Sequence, residues 1–228
     1  MKLKNLYHLS TTIPLAITAL LLAGCASAGY KQAEKTGAGI TEYREEIFKG
    51  KQAIDATMQS LAQISATANT DPRPAFHQYG KDVATLESAS ARIRKRSQEL
   101  QAKGDLYFKQ WQQEIATVQN PEIRKVSEEQ KAKMQATFDS IQKHTDPLKA
   151  QMEPWLADLR DLRTYLNNDL TVSGIDAAKP LFEKVQSKGT EIQKSMDALV
   201  FELNSVSTAM TPATLPTPAP GAAAAPAK

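Results

Sequence analysis

Few residues in this chain could do chemistry. Cys25 is the only cysteine. Its soft, nucleophilic sulfur suits thioether formation, and without a second thiol it makes neither a disulfide nor a thiolate metal site within one chain. Histidine occurs at positions 8, 77 and 144. His77 stands beside a Pro-rich turn and His144 just before Asp146-Pro147, and neither begins an H-x-x-x-H or E-x-x-H metal spacing. Exposed or capping histidines are the expectation. Paired carboxylates fall at Glu45/Glu46, Glu128/Glu129 and Asp158/Asp161. The i,i+3 pair has the spacing of acid/base or metal machinery. Arg160 and Arg163 interleave with it, however, which is the pattern of a charge-paired helix surface. No catalytic residue, metal site or cofactor is expected, and the chain reads as non-enzymatic.

Two features suit binding instead. Arg92, Arg94, Lys95 and Arg96 form the densest basic cluster. It could contact an anionic glycolipid, peptidoglycan carboxylates or an acidic partner, while the plain alternative is a solvated helix face. Trp111 and Trp155 lie on or beside apolar stripes, where packing is the default. Trp155, one position before the stripe residue Leu156, is the candidate for a partly exposed partner contact.

The residues before Cys25 explain its setting. Lys2 and Lys4 make a positive n-region, and Ile13 to Ala23 is an apolar core interrupted by Pro14 and Thr18. That core is far short of the ~20 residues needed to span a bilayer. Leu22-Ala23-Gly24-Cys25 resembles the bacterial lipobox. The resemblance implies a diacylglyceryl group on the Cys25 sulfur, cleavage before Cys25 and an N-acyl chain on its new amino group. These acyl chains are the only non-protein groups expected. More than one chain makes attachment stable, at ~0.8 kcal/mol per buried CH₂. Ala26, where sorting in enteric bacteria would read aspartate as inner-membrane retention, implies the outer membrane, facing the periplasm.

Composition bounds the rest. Loss of residues 1–24 removes Lys2 and Lys4, leaving 26 basic residues against 25 acidic ones. Such near-neutral charge implies neither nucleic acid nor bulk attraction to anionic lipid. Aromatics are sparse at 6%, and Ala, Gln, Lys, Glu and Leu favour helix.

The elements that would position these groups are helices with 3-4 apolar spacing. Residues 25–39 read as the lipidated cysteine and a flexible tether, and 40–210 as a helical domain. The first helix carries Ile40, Tyr43, Ile47, Gly50, Ile54, Met58, Leu61 and Ile64, and ends before Thr70-Asp71-Pro72-Arg73-Pro74. The second runs from Phe76 to Val118 through Tyr79, Val83, Leu86, Ser90, Ile93, Ser97, Leu100, Gly104, Tyr107, Trp111 and Ile115. Its small positions suggest close approach by another helix. Asn120-Pro121 restarts the chain. The third stripe is Ile123, Val126, Met134, Phe138, Ile141, Leu148, Met152, Leu156, Leu159, Leu162 and Leu166. It keeps phase across Pro147 and Pro154, so one kinked helix is expected, with a break at Thr145-Asp146-Pro147 as the alternative. The fourth follows a turn with capping-box spacing at Ser173 and Asp176; its stripe is Leu181, Val185, Ile192, Met196, Leu199, Leu203 and Val206.

Short turns make consecutive helices antiparallel neighbours. The expected fold is all-α, an elongated antiparallel bundle of about four long amphipathic helices with coiled-coil-like packing. The longer two would measure roughly 65–70 Å. Residues 211–228 form a Pro/Ala-rich segment that cannot pack a core. Lys228 ends it, as a C-terminal lysine does in an outer-membrane lipoprotein joined to peptidoglycan. Four alternating helices return the chain towards the membrane, however, so the plain reading is an unstructured terminus.

The body, from about Gly29-Tyr30 to Leu203, resembles a family of bacterial lipoproteins known by a domain-of-unknown-function label. The best-marked piece is Gln151-Met152-Glu153-Pro154-Trp155-Leu156, with Leu159-Arg160-Asp161 and Tyr165-Leu166-Asn167; a second is Tyr107-Phe108 with Trp111 and Glu114. The family tends to read His-Asn-Leu-Asn where this chain has Asn168-Asp169-Leu170-Thr171. The resemblance implies the same helical lipoprotein architecture and brings no activity with it. The expected function is a lipid-anchored periplasmic scaffold that binds an unknown envelope protein or peptidoglycan, with self-association possible through the seams. The alternative is an accessory binder of an anionic envelope glycan or lipid through the Arg92–Arg96 face.

Overall fold

The computed structural model describes residues 22–210, with side chains from Lys31 onward. Four helices occupy them: α1 (Leu22–Ala66), α2 (Arg73–Thr117), α3 (Pro121–Asn168) and α4 (Val172–Met210). α1 packs against α2 and α4, and α3 against the same two, so the helices close an antiparallel square. At 1.5 Å per residue, α3 is ~72 Å long. Residues 1–21, most of the expected leader, and the Pro/Ala-rich residues 211–228, including Lys228, lie outside the described residues.

Local chemistry sets the turns. Asp71 accepts the Arg73 amide at 3.2 Å and its guanidinium at 2.7 Å, with prolines on both sides of Arg73 opening α2. Asn120 caps α3, its Oδ1 accepting from Glu122 N (2.9 Å) and Ile123 N (3.2 Å), with Pro121 at the first position. Helix α4 starts earlier than the Ser173/Asp176 spacing suggests. Thr171 is its cap, accepting from Gly174 N at 3.1 Å and held by Asp169. α3 is continuous through Pro147 and Pro154.

The core follows the stripes, with shifts. In α2 the buried position is Phe108 rather than Tyr107, and in α4 it is Phe182 rather than Leu181, which is 48% exposed. Helix also occupies residues 25–39, where a tether was expected. Thr36 is fully buried there, Gln32 donates to Lys103 O at 3.4 Å, and a Cβ on Gly39 would stand 3.0 Å from Lys103 and 3.3 Å from Leu100. Thr36 and Gly39, small residues that looked like part of a linker, lie on a packed face of α1.

The register fixes what lies at each end. Glu46 pairs with Arg92 and Glu42 with Arg96. Continuing this antiparallel register brings the backbone of residue 25 level with α2 about one turn short of its end. Position 25, the α2–α3 turn and the end of α4 therefore share one end of the rod. The α1–α2 and α3–α4 turns share the other.

Candidate functional site

The basic cluster sits on α2, with Arg92 and Arg96 facing α1 and Arg94 facing α3, and each member meets a carboxylate. Arg92 Nε lies 2.9 Å from Glu46 Oε2, Arg94 3.4 Å from Glu153 of α3, and Lys95 3.8 Å from Glu99. Arg96 is 3.2 Å from Glu42 and 2.7 Å from Glu99, and Lys103 adds a contact to Glu42 at 3.6 Å. The guanidinium of Arg96 holds the Glu99 carboxyl below its ordinary range. Its three arginines are thus one half of an inter-helix charge seam.

Glu46 is the seam's most enclosed member, its side chain 11% exposed between Lys49 (2.8 Å) and Arg92. The Lys49 hydrogen bond, joined by that of Arg92, keeps its carboxyl below the usual value against the opposing effect of desolvation. A depressed pKa in the folded state means the stabilisation is complete above the ordinary glutamate pKa and is lost as pH falls through the lower folded value. Glu46→Gln should therefore cost ~0.5–1.5 kcal/mol near neutral pH. The difference from the native chain should close below about pH 4. Urea unfolding of both proteins across this range measures it, and a gap independent of pH would place the cost in packing rather than charge.

Trp155 contradicts the expectation of an exposed contact. It is 1% exposed, and its Nε1 donates to Val185 O at 2.9 Å across the α3–α4 interface. Leu156 is buried beside it. A helix with two neighbours in a square presents an apolar arc wide enough for adjacent positions, so standing one residue off the stripe does not bring a side chain to solvent.

The remaining candidates take surface or structural positions. His77 is exposed at the start of α2, and His144 Nδ1 is 3.0 Å from Ser140 O. Asp158 pairs with Lys184 of α4 at 3.5 Å, and Arg160 pairs with Glu87 of α2. Among the described residues, no group of three or more His, Cys, Asp and Glu side chains could hold a metal. No described helix is long and apolar enough to cross a membrane.

A small, mostly apolar pocket lies where α2 and α3 meet Tyr43 of α1. Tyr43 Oη and Thr145 Oγ1 share a hydrogen bond of 3.2 Å, and burial raises the Tyr43 pKa. Beside them, Ser90, Ile93, Leu148 and Met152 help to line a cavity of about 20 Å³. That volume holds one water molecule and no larger ligand.

The surface offers more than the interior. Between α1 and α4, Phe48 and Val200 line a groove edged by Arg44, Lys51 and Asp197. Phe48 is 61% exposed and the adjacent Phe201 75%. Neither phenylalanine stood out in the sequence, because each falls off its stripe, and that misalignment was the available signal. Among Leu106, Ile123 and Val126, all close to 60% exposed, the latter two were expected in the core.

A family model described as "Protein of unknown function (DUF2959)" matches residues 25–210 of the chain. No curated protein and no solved structure matches it.

Proposed function

As this chain belongs to the DUF2959 family, we propose that it is a non-enzymatic, lipid-anchored helical scaffold of the bacterial cell envelope. Acyl chains on Cys25 hold it to the periplasmic face of the outer membrane, where it binds a protein partner. The observation that carries this reading is the position of residue 25 on the rod. An anchor at the end that also holds the α2–α3 turn stands the bundle on the membrane. The α1–α2 and α3–α4 turns then project ~60–70 Å into the periplasm. The family match begins at Cys25 itself, the residue that cleavage within the lipobox would make first, and this supports the same reading.

The exposed Phe48 and Phe201 support a protein partner, since large aromatics outside the core are costly to leave wet and recur at binding surfaces. The basic cluster supports an anionic ligand less well, because Arg92, Arg94, Lys95 and Arg96 already face Glu46, Glu153, Glu99 and Glu42.

The test joins location to partnership in the native bacterium. Mass spectrometry of the N-terminal peptide should find a diacylglyceryl thioether and an amide-linked acyl group on Cys25. Cys25→Ser should move the protein from the membrane fraction to the soluble one. Crosslinking in intact cells should then capture one enriched envelope protein, and Phe48→Ser with Phe201→Ser should release it. An unmodified Cys25, or a Cys25→Ser chain that stays with the membrane, would overturn the anchor.

A further inference from the structure

Phe48 and Phe201 stand in solvent beside helices that run on past them. Ile123 and Val126 are exposed for a simpler reason. Ser140 meets Glu202 of α4, and that register sets Met210, where α4 ends, level with about residue 132 of α3. The phenylalanines have no such cause, since α1 and α4 pass each other on both sides of them. Three contacts fix how these two helices are matched. Arg44 donates to Asn204 at 2.8 Å, Lys51 pairs with Asp197, and Gln193 donates to Asp55 at 2.6 Å, so each step up α1 is one step down α4. The same register sets Phe48 opposite Val200, with Phe201 next to it. Phe201 also lies four residues after Asp197, which edges the groove beside Phe48, so the two share a face of α4. The two phenylalanines, 61% and 75% exposed, thus stand level on neighbouring helices and look out of one side of the rod.

The charges around them are complementary to themselves. At one level α1 carries Lys51 and α4 carries Asp197. One turn further, α1 carries Asp55 and α4 carries Lys194, which lies two turns before Phe201 and so on its face. A two-fold axis along the rod lays α1 of one copy on α4 of another without shifting the level. It brings Phe48 to the second copy's Phe201, Lys51 to its Asp197 and Asp55 to its Lys194, and every contact occurs twice. An axis across the rod lays α4 on α4 instead, where Asp197 and Lys194 meet no opposite charge. The groove beside Phe48 measures about 390 Å³, room for one ring, and Val200 lines it. Each copy therefore brings a knob, Phe201, and a hole to receive it. The four phenylalanines together would bury ~550 Å², about half of what a specific interface needs. The polar and charged side chains from Arg44 to Asp55, about three turns, supply the remainder.

We propose that the partner for this face is a second copy of the chain, the two rods lying side by side in parallel with Phe201 of each seated beside Phe48 of the other. The proposal rests on the reading of these phenylalanines as a protein contact and narrows it to a homodimer. Both Cys25 residues then sit at one end of the pair, as two chains held by one membrane require.

Disulfide trapping between two differently tagged full chains, made together in intact cells with Cys25 in place, tests the pairing. Thr41 of α1 and Thr208 of α4 lie within one residue of the same level. A chain carrying Thr41→Cys and a chain carrying Thr208→Cys should therefore oxidise to a mixed dimer. Gln52→Cys in one chain with Glu45→Cys in the other should not, because only antiparallel rods bring those α1 positions together. Adding Phe48→Ser and Phe201→Ser to both chains should lower the first yield about tenfold or more, as loss of central aromatic contacts does. Trapping through Gln52→Cys and Glu45→Cys, or a first yield indifferent to the serine substitutions, would overturn the parallel dimer. If neither pair traps while Phe48→Ser with Phe201→Ser still releases a different captured protein, the second copy is overturned and the protein contact stands. A disulfide dimer of the chain with no added cysteine would overturn the anchor instead, since an acylated Cys25 has no thiol to give.

Discussion

Trp155→Ala should destabilise the bundle by about 3–5 kcal/mol, the range for removing a large buried aromatic. The indole is 1% exposed and is built into α4 as much as into α3. Its Nε1 donates to Val185 O, and α4 carries glycine at 189, where a Cβ would stand 3.0 Å from Trp155 Cζ2 and 3.3 Å from Met58 Sδ. Three helices therefore converge on one ring. Trp155→Phe keeps much of the packing and loses the hydrogen bond, so its cost should fall to ~1–2 kcal/mol. Gly189→Ala should be unfavourable beside tryptophan. It should turn less so, or stabilising by up to ~1 kcal/mol, beside alanine, where helix propensity acts with one neighbour fewer. Urea unfolding of the four proteins closes the cycle. If Trp155→Ala instead left stability unchanged and abolished capture of the proposed partner, Trp155 would be a contact surface and its buried position would be wrong.

The gap between the sequence and this result has a physical source. Periodicity reads one helix at a time. It placed Tyr43, Ile54, Leu86, Leu159 and Leu203 in the core because each helix buries a stripe of period 3.6. It cannot report how many neighbours share that stripe, and this decides whether a residue one step aside, Trp155 or Phe182, is covered. Nor does it say where a neighbour ends, which is why Ile123 and Val126 keep perfect phase and remain exposed. The basic run at Arg92–Arg96 looked free because its partners are distant in the chain: Glu42 and Glu46 on α1, Glu153 on α3. At 25–39 the small residues were ambiguous by nature. Alanine, glycine and threonine suit a loose linker and a tightly apposed helix equally well, and only the contact with Leu100 and Lys103 separates the two. The lipobox-like stretch lies at the other extreme: the expectation at Cys25 rests on short-range chemistry and owes nothing to the fold.

Gly104 is where a local preference and the packing point in opposite directions. An alanine there should favour helix by about 1 kcal/mol if α2 stood alone. In the bundle its Cβ would fall 2.3 Å from Cε1 and Cζ of Phe138, well inside contact distance. Phe138 is 2% exposed and has little room to retreat, with the Phe108 ring edge-on at 5.7 Å. Overpacking of this kind costs ~1–3 kcal/mol. Gly104→Ala should therefore destabilise by ~1–2 kcal/mol once the propensity gain is set against it. Phe138→Leu shortens the offending ring, and in that background the same alanine should be neutral or stabilising, a coupling of ~1–2 kcal/mol between two residues on different helices. The pair also stands at the root of the α2–α3 hairpin, just before the turns that α4 does not reach. Amide exchange in residues 122–131 should accelerate in Gly104→Ala more than exchange in the distal half of α3, because loosening this contact frees the hairpin without touching the square beyond it. A stabilising Gly104→Ala in the native background would mean that Phe138 moves aside at little cost, and that the close approach of α2 and α3 here rests on something other than the missing side chain.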